Sequence, residues 1–335
     1  MKVLVTGGTG FIASHLVRRL LQSGWEVSAL ARPSGALDPL KGSGVRVAFA
    51  DLAEPESLER IDGDWDAVVN AAGLLGKFGT GRDSLRAVNT DGAERLFEFA
   101  QRRNVKRFVH LGTVGVTGPA EIDNSSPQAP PPLRDEETPC RPASDYQRSK
   151  LDGEKALIWA QASGSCSLTI LRAGFTYGPG DLHKLPLFQT IHKGRFFFIG
   201  PGNGFLQPIF VEDLARGIEQ ALQGAGDGTR VFNMCGDSPV TWKDFAGTIA
   251  KALGRPLPRL SVPEALCRPA ATVLEALGAA LSFAPPLTHS RIDLMTRSYT
   301  YSVERARNAI GFRPEVGLEE GITRTVNWYR ANGAL

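Results

Sequence analysis

The sequence predicts an α/β protein built on a doubly wound parallel sheet, followed by a smaller, mostly helical C-terminal region. Three observations predict it. Short apolar, β-branched runs recur through the first half of the chain and alternate with stretches whose apolar residues fall at helical spacing. These runs are continuously apolar, as strands covered by helices on both faces must be. The first run stops on a cluster of glycines immediately before a helical stretch begins. A chain of 335 residues can bury a large core, and 42% hydrophobic with 22% charged residues excludes a disordered or fibrous protein.

In chain order, Lys2 to Thr6 reads as the first strand, and Ile12, Leu16, Leu20 and Leu21 mark the helix behind it. Further strands are expected at Glu26 to Leu30, Val45 to Ala50, Asp66 to Ala71 and Arg107 to Leu111, with a continuous helix from Ser84 to Arg102. Gly118 to Pro142 carries seven prolines in 25 residues and reads as a long loop without regular structure. A helix from Ser144 to Ala162 and a strand from Leu168 to Arg172 follow, and then the glycine-rich stretch Gly174 to Gly204 interrupts the alternation. Later helices are expected at Val211 to Leu222, Thr241 to Leu253 and Pro263 to Leu281, with a strand at Val231 to Met234. From Leu318 a last helix aligns Ile322, Val326 and Tyr329 on one stripe. Residues 1–173, with 205–234 returning to them, are expected to form a dinucleotide-binding domain, and 174–204 with 235–335 a substrate-binding region.

The formal charge is +3 with Lys and Arg scattered, so nucleic-acid binding has no electrostatic footprint. The four cysteines, Cys140, Cys166, Cys235 and Cys267, show no metal-ligand spacing, which points to a reducing compartment and no metal. The apolar run after Met1 is too short for a signal peptide and no stretch long enough to span a bilayer follows, so a cytosolic protein is expected. Glycine and proline are in surplus, and they gather where backbone would approach a ligand: the first turn, Gly112 to Gly118, and Gly174 to Gly204.

Thr6-Gly7-Gly8-Thr9-Gly10-Phe11-Ile12-Ala13 lies between the first strand and the first helix, where a dinucleotide fingerprint belongs. Gly7 allows the tight turn, Gly10 lets backbone approach a pyrophosphate, and the helix N-terminus supplies amide donors. Ala13 in place of a third glycine still permits close packing. At the end of the second strand the acid that would hold the ribose 2′-hydroxyl of NAD is missing, and Arg32 stands there instead. Arg32 suits a 2′-phosphate, which favours NADP over NAD, or it is a solvated loop charge. Asp51, followed by Leu52, is placed either to contact the adenine or to cap the next helix.

Tyr146 and Lys150 stand at i and i+4 and share one helix face. A free tyrosine titrates near pH 10, but an adjacent ammonium and a positive nicotinamide ring favour the phenolate, so Tyr146 can exchange a proton with a substrate oxygen.

These residues, with Asp51-Leu52, Asn70-Ala71-Ala72-Gly73, Val88-Asn89, Leu171-Arg172, Tyr177-Gly178-Pro179-Gly180 and Val211-Glu212-Asp213, make the chain resemble the extended short-chain dehydrogenase/reductases, also described as the NAD-dependent epimerase/dehydratase family. The closing Gly311-Phe312-Arg313-Pro314 also fits, so the resemblance covers nearly the whole chain. It implies a Rossmann-type fold, Tyr146 as catalytic acid/base, Lys150 as the residue that binds the nicotinamide ribose, and Thr113 as the hydroxyl that bonds the substrate oxygen. It further implies that Asn89 links the catalytic helix to the cofactor, and that Phe11, Ile12, Ala71, Ala72, Gly73 and Gly174 join Gly7, Thr9 and Gly10 in contacting it. Gly112 and Thr117 depart from the family's serine pair and Tyr-Gly. A homodimer through the helices 84–102 and 144–162 is also implied.

Relatives acting on nucleotide sugars usually carry Arg-Asp ahead of the Val-x-Asp segment, whereas this chain reads Phe205-Leu206-Gln207-Pro208-Ile209-Phe210-Val211. A bidentate phosphate donor is thereby lost. Phe196 to Ile199 and the proline-flanked 263–286 segment are expected either to line an apolar pocket or cover, or to serve as core or an oligomer face. Touching a membrane surface is a remoter role for 263–286. The arrangement is similar to the 3β-hydroxysteroid dehydrogenase and dihydroflavonol reductase branch, which implies alcohol/ketone oxidoreduction on a bulky, largely apolar small molecule. The alternatives are a nucleotide-sugar epimerase or dehydratase with tightly held NAD, and a non-catalytic nicotinamide-dependent regulator.

Overall fold

Five of the expected strands form where their apolar runs lie, and each ends where the run meets glycine or a polar turn. They are β1 (Lys2–Thr6), β2 (Glu26–Ala31), β3 (Arg46–Phe49), β4 (Ala67–Asn70) and β5 (Arg107–Thr113). The structure, a computed structural model, describes residues 1–35, 37–120, 130–162, 164–224 and 226–335. Between these strands run α1 (Phe11–Gln22), α2 (Arg82–Arg86) and α3 (Gly92–Arg102), and beyond them α4 (Asp145–Gln161) and β6 (Ser167–Ala173).

Three small two-stranded sheets follow: β7 (Phe175–Tyr177) with β10 (Pro208–Phe210), β8 (Phe198–Ile199) with β13 (Ser261–Val262), and β9 (Phe205–Leu206) with β12 (Val240–Thr241). The main sheet closes with β11 (Thr229–Met234). The remaining helices are α5 (Leu185–His192), α6 (Val211–Gly224), α7 (Trp242–Leu253), α8 (Glu264–Leu281), α9 (His289–Thr296), α10 (Glu304–Ile310) and α11 (Leu318–Ala331).

The main sheet has seven parallel strands in the order β11-β6-β5-β4-β1-β2-β3, a Rossmann-type arrangement. The strand order reverses between β1 and β4, and in such sheets the crevice outside the carboxyl ends at that point is where ligands bind. One face is covered by α1 and α6 through Leu16, Val17, Leu20, Leu214 and Ile218. The other is covered by α3 and α4 through Leu96, Phe97, Phe108 and Leu157. A third cluster joins α5, α7 and α11 around Phe188, Phe245 and Tyr329.

Three expectations change. The helix over 84–102 is not continuous: Ala87–Asp91 is a π turn between α2 and α3. Here the Ala87 carbonyl accepts the Gly92 amide across the turn and a second bond from Arg95 at 3.2 Å, and Asn89, buried at the centre of the turn, makes bonds outside the helix. The 118–142 loop is not a free excursion, because bridges Ala120 to Ser298 and Arg134 to Tyr301 strap its ends to the 298–302 segment. Residues 121–129 of that loop lie outside the described residues. Phe198 and Ile199 are buried core rather than pocket lining, whereas α8 turns Leu266, Val273, Leu277 and Leu281 to solvent.

Candidate active site

The glycine turn is fixed by contact between two strand ends. Gly7 has φ +65°, and a Cβ there would stand 2.8 Å from Ala72 Cα, so glycine is required both for its conformation and for its closeness to the 71–73 turn. Thr6 Oγ1 binds the same turn, donating to Asn70 Oδ1 at 2.8 Å and accepting the Ala72 amide at 3.1 Å. Gly10 donates to the Gly7 carbonyl at 2.7 Å, and α1 then starts with neither a side-chain cap nor an acid in its first turn. Helices α4, α7 and α9 are capped, by Ser144, Thr241 and Thr288, whereas α5, α8, α10 and α11 are uncapped like α1, so what marks α1 is its position after the glycine turn at the end of β1. An uncapped N-terminus leaves its amides for an anion, so this end fits a dinucleotide pyrophosphate.

Around it, Phe11 and Ile12 are half-buried, and Phe11 meets His15 edge-on with centroids 5.9 Å apart. His15 in turn bonds the Pro179 carbonyl at 2.8 Å. Arg32 is exposed where β2 ends, in a turn closed by the Gly35 amide on the Arg32 carbonyl at 2.8 Å, and Thr9 lies beside Gly35. Asp51 is not a helix cap: its Oδ1 accepts the Ala53 amide at 2.9 Å, while the following 3₁₀ helix starts at Pro55 behind Glu54. The Leu52 side chain packs in the core under Gly92. Gly174 owes its lack of a side chain to Cys235, whose Sγ would lie 2.7 Å from a Cβ there.

Helix α4, which carries Tyr146 and Lys150, starts from reciprocal bonds. Ser144 Oγ accepts the Gln147 amide at 3.2 Å, and Gln147 Oε1 accepts the Ala143 amide at 2.7 Å, a relative of the capping box that sets the turn carrying Tyr146. Thr113 Oγ1 accepts the Gly115 amide at 3.2 Å, which leaves its hydroxyl proton to donate. Gly115 also abuts the Gln147 side chain, so the end of β5 and the first turn of α4 meet there. Thr117 is buried and donates to the Val114 carbonyl at 3.0 Å, so it closes the 3₁₀ turn instead of facing the cleft.

Asn89, named with the catalytic group, is a positioning residue. Its Oδ1 accepts the Leu74 amide at 2.8 Å, and its Nδ2 donates to the Leu74 carbonyl at 2.9 Å and to Ser149 Oγ at 3.0 Å. The amide thus clamps the loop after β4 to α4. Gly153 lets α4 approach: a Cβ there would lie 2.3 Å from the Asn89 carbonyl. Gly73 sits next to both Asn89 Oδ1 and Lys150 Nζ.

Lys150 is buried and donates to the Leu111 carbonyl at 2.7 Å. Burial lowers its pKa to about 8, with Glu154 pulling the other way. Burial pushes the Tyr146 phenol up to about 12, so favouring the phenolate falls to the Lys150 ammonium together with a bound nicotinamide.

His110, which sequence reasoning missed, belongs to this wall beside Asn70 of the Asn70-Ala71-Ala72-Gly73 motif. Asn70 Nδ2 donates to His110 Nδ1 at 3.2 Å, and His110, fully buried, is held well below its ordinary pKa by burial and then by the Lys150 charge. A histidine inside the apolar run Phe108-Val109-His110-Leu111 was the available signal.

The opposite wall is apolar and basic. The 74–81 loop leans on Tyr146, since a Cβ on Gly76 would stand 2.6 Å from Tyr146 Cβ, and it carries Leu75 and Phe78, 42% and 38% exposed. His183 is kept below its usual pKa by burial and Lys184, and it also feels Lys77 and Arg291, so the 181–184 turn, this loop and α9 converge. Among the described residues, no group of three metal-ligating side chains occurs and no helix is long and apolar enough to cross a membrane.

A family model described as the NAD dependent epimerase/dehydratase family matches residues 3–235. The chain is 26% identical over 333 residues to a 2-alkyl-3-oxoalkanoate reductase of Stenotrophomonas maltophilia (strain K279a), covering 97% of this chain and 98% of the relative. It is 25% identical over 337 residues to a decarboxylating sterol-4-alpha-carboxylate 3-dehydrogenase of Mus musculus, covering 97% and 90%. A UDP-glucose 4-epimerase from Thermotoga maritima, solved with UDP-glucose, shares the fold with a TM-score of 0.79 at 22% identity, covering 99% of both chains.

Proposed function

The chain belongs to the NAD dependent epimerase/dehydratase family and is an NAD(P)-dependent enzyme of the extended short-chain dehydrogenase type, and from that premise we propose that it interconverts an alcohol and a ketone on a bulky, largely apolar, sterol- or flavonoid-like substrate. The observation that supports this reading is the loop packed against Tyr146 at Gly76, whose neighbours Leu75 and Phe78 keep exposed apolar surface available to a substrate. The buried Leu206 and Gln207 support it, because Gln207 is consumed in bonds to the Gly236 carbonyl and the Tyr301 amide and offers nothing to a diphosphate. The reductase and sterol dehydrogenase relatives agree with it.

In this proposal residues 1–173 and 205–234 hold the dinucleotide, with NADP preferred through Arg32, and 174–204 with 235–335 hold the substrate. A nicotinamide held by the Gly7 to Gly10 turn and Lys150 would supply the hydride chemistry at the carbinol carbon. Tyr146, which holds its proton at neutral pH, gives that proton to the ketone oxygen during reduction. Thr113 donates to the same oxygen and steadies developing charge there. Lys150, braced on the Leu111 carbonyl, offers its remaining N–H groups to the ribose and its charge to the phenolate left on Tyr146 after transfer. We also propose a cytosolic homodimer joined through α3 and α4, where Trp159 is 82% exposed beside Ile158; Trp159→Glu then halves the mass found by light scattering.

Purified protein supplied with NADPH should reduce a 3-ketosteroid or a flavanonol and should leave UDP-glucose and dTDP-glucose unchanged. Activity confined to the nucleotide sugars would replace this reading by the epimerase/dehydratase alternative. Binding of NADPH without turnover of any ketone or sugar would favour a regulator.

A further inference from the structure

One turn beyond Lys150 on α4 lies Glu154, with only 2% of its side chain exposed. Its Oε2 accepts two bonds from Arg172, from Nε at 3.0 Å and from Nη2 at 2.8 Å. Its Oε1 has no partner among the described residues. That free oxygen rests on strand β5 at Gly112, where a Cβ would stand 2.5 Å away. Gly112 lies between Leu111, whose carbonyl anchors Lys150, and Thr113, and it is the register partner of Arg172 on β6. The carboxylate therefore sits behind the reacting groups, directly over the backbone that holds two of them. Burial raises the Glu154 pKa, while Arg172 and Lys150 oppose that rise and favour the charged form.

We propose that Glu154 is a positioning residue for the Tyr146/Lys150 pair: its carboxylate, wedged over Gly112 between β5 and β6, keeps Lys150 charged against the Leu111 carbonyl, and glycine at 112 is the opening that admits it. The proposal rests on the reading of Tyr146 and Lys150 as the pair that handles the proton. The groups facing Lys150 are Tyr146 and Glu154 on α4, His110 on β5, and Arg172 on β6 through Glu154. From the helices packed on α4, Arg82 pairs with Asp145 and Arg86 with Asp91 at the surface, and Arg95 of α3 is spent on the Leu52 carbonyl.

Removing a negative charge beside an ammonium favours the neutral amine, so Glu154→Gln makes Lys150 shed its proton below the pH of about 8 that holds in the intact protein. The loss must therefore be small in acid and grow toward alkaline pH. The experiment compares NADPH-dependent ketone reduction and NADPH binding by fluorescence across pH in the intact protein, Glu154→Gln, and Glu154→Gln/Arg172→Gln, the last sparing Arg172 an unpaired buried charge. Both variants should move the alkaline limb of kcat/KM down by about one pH unit, a roughly tenfold deficit on that limb. Profiles that superimpose on the intact protein after scaling would overturn the proposal.

A second arm keeps the question open to refutation if those variants fold poorly. Gly112→Ala should lower Tm in the intact background and lower it much less in Glu154→Ala, whereas equal losses in both would mean that the opening does not serve Glu154. If Tyr146→Phe retains full turnover, the underlying reading fails whatever Glu154 does. If Tyr146→Phe is inactive and the Glu154 profiles do not shift, the present proposal alone fails.

Discussion

The two walls of the cleft are made differently. On the cofactor side, Thr6, Asn70, Asn89 and Ser149 spend their hydrogen-bonding capacity on one another and on backbone, and glycines bring the chain into contact with itself at 7, 73 and 153. On the proposed substrate side, Leu75, Phe78 and Leu182 leave apolar surface open, and Lys77 and Arg291 lie within electrostatic reach of His183. Interlocked polar groups have one low-energy arrangement, whereas exposed apolar side chains adjust to what they meet. On the proposed reading, the first wall fixes where a hydride and a proton move and the second sets which molecule is presented to them.

Substitutions on the two walls should accordingly fail in different ways. Tyr146→Phe should cost the most, reducing turnover by roughly three orders of magnitude while NADPH binding and Tm stay near those of the intact protein, because it removes only the transferable proton. If turnover survives, the two walls do not divide the labour in this way.

Asn89→Ala comes next, leaving Leu74 and Ser149 without their buried partner. It should lower stability by about 1–3 kcal/mol and reduce kcat more than KM, as read by denaturant unfolding and steady-state kinetics. Arg32→Ala should weaken NADPH about tenfold and leave NADH unchanged, which a thermal-shift titration with both nucleotides checks. Equal weakening of both would make Arg32 a general contact instead of a 2′-phosphate reader. Phe78→Ser should have the smallest effect, raising KM for an apolar ketone about fivefold with kcat and cofactor affinity unchanged. A fall in kcat instead would place the 74–81 loop with the cofactor wall.

Much of the first wall was legible because its signals are local. The turn at Gly7, the i and i+4 spacing of Tyr146 and Lys150, and the start of their helix at Ser144 are each decided within a few residues. The readings that changed depended on partners far away in the chain. A continuous helix over 84–102 satisfies apolar periodicity, but Asn89 reaches Leu74 and Ser149, 15 and 60 residues distant, and the helix opens into a π turn there. Asp51 resembles a cap until the 3₁₀ helix is seen to begin at Pro55. Thr6 and Asn70, 64 residues apart, could not be recognised as one bond from spacing.

The sequence by itself determined the α/β class, the parallel sheet, the glycine turn and the tyrosine-lysine pair, because hydrophobic period, backbone freedom and helix spacing are properties of short segments. Only the tertiary structure decided that burial raises the pKa of Tyr146 and lowers that of Lys150, that His110 is neutral, and that Glu154 and Arg172 stand against Gly112. Charge state depends on solvent exclusion and on neighbours from other strands, and both arise only when β4, β5, β6 and α4 are assembled.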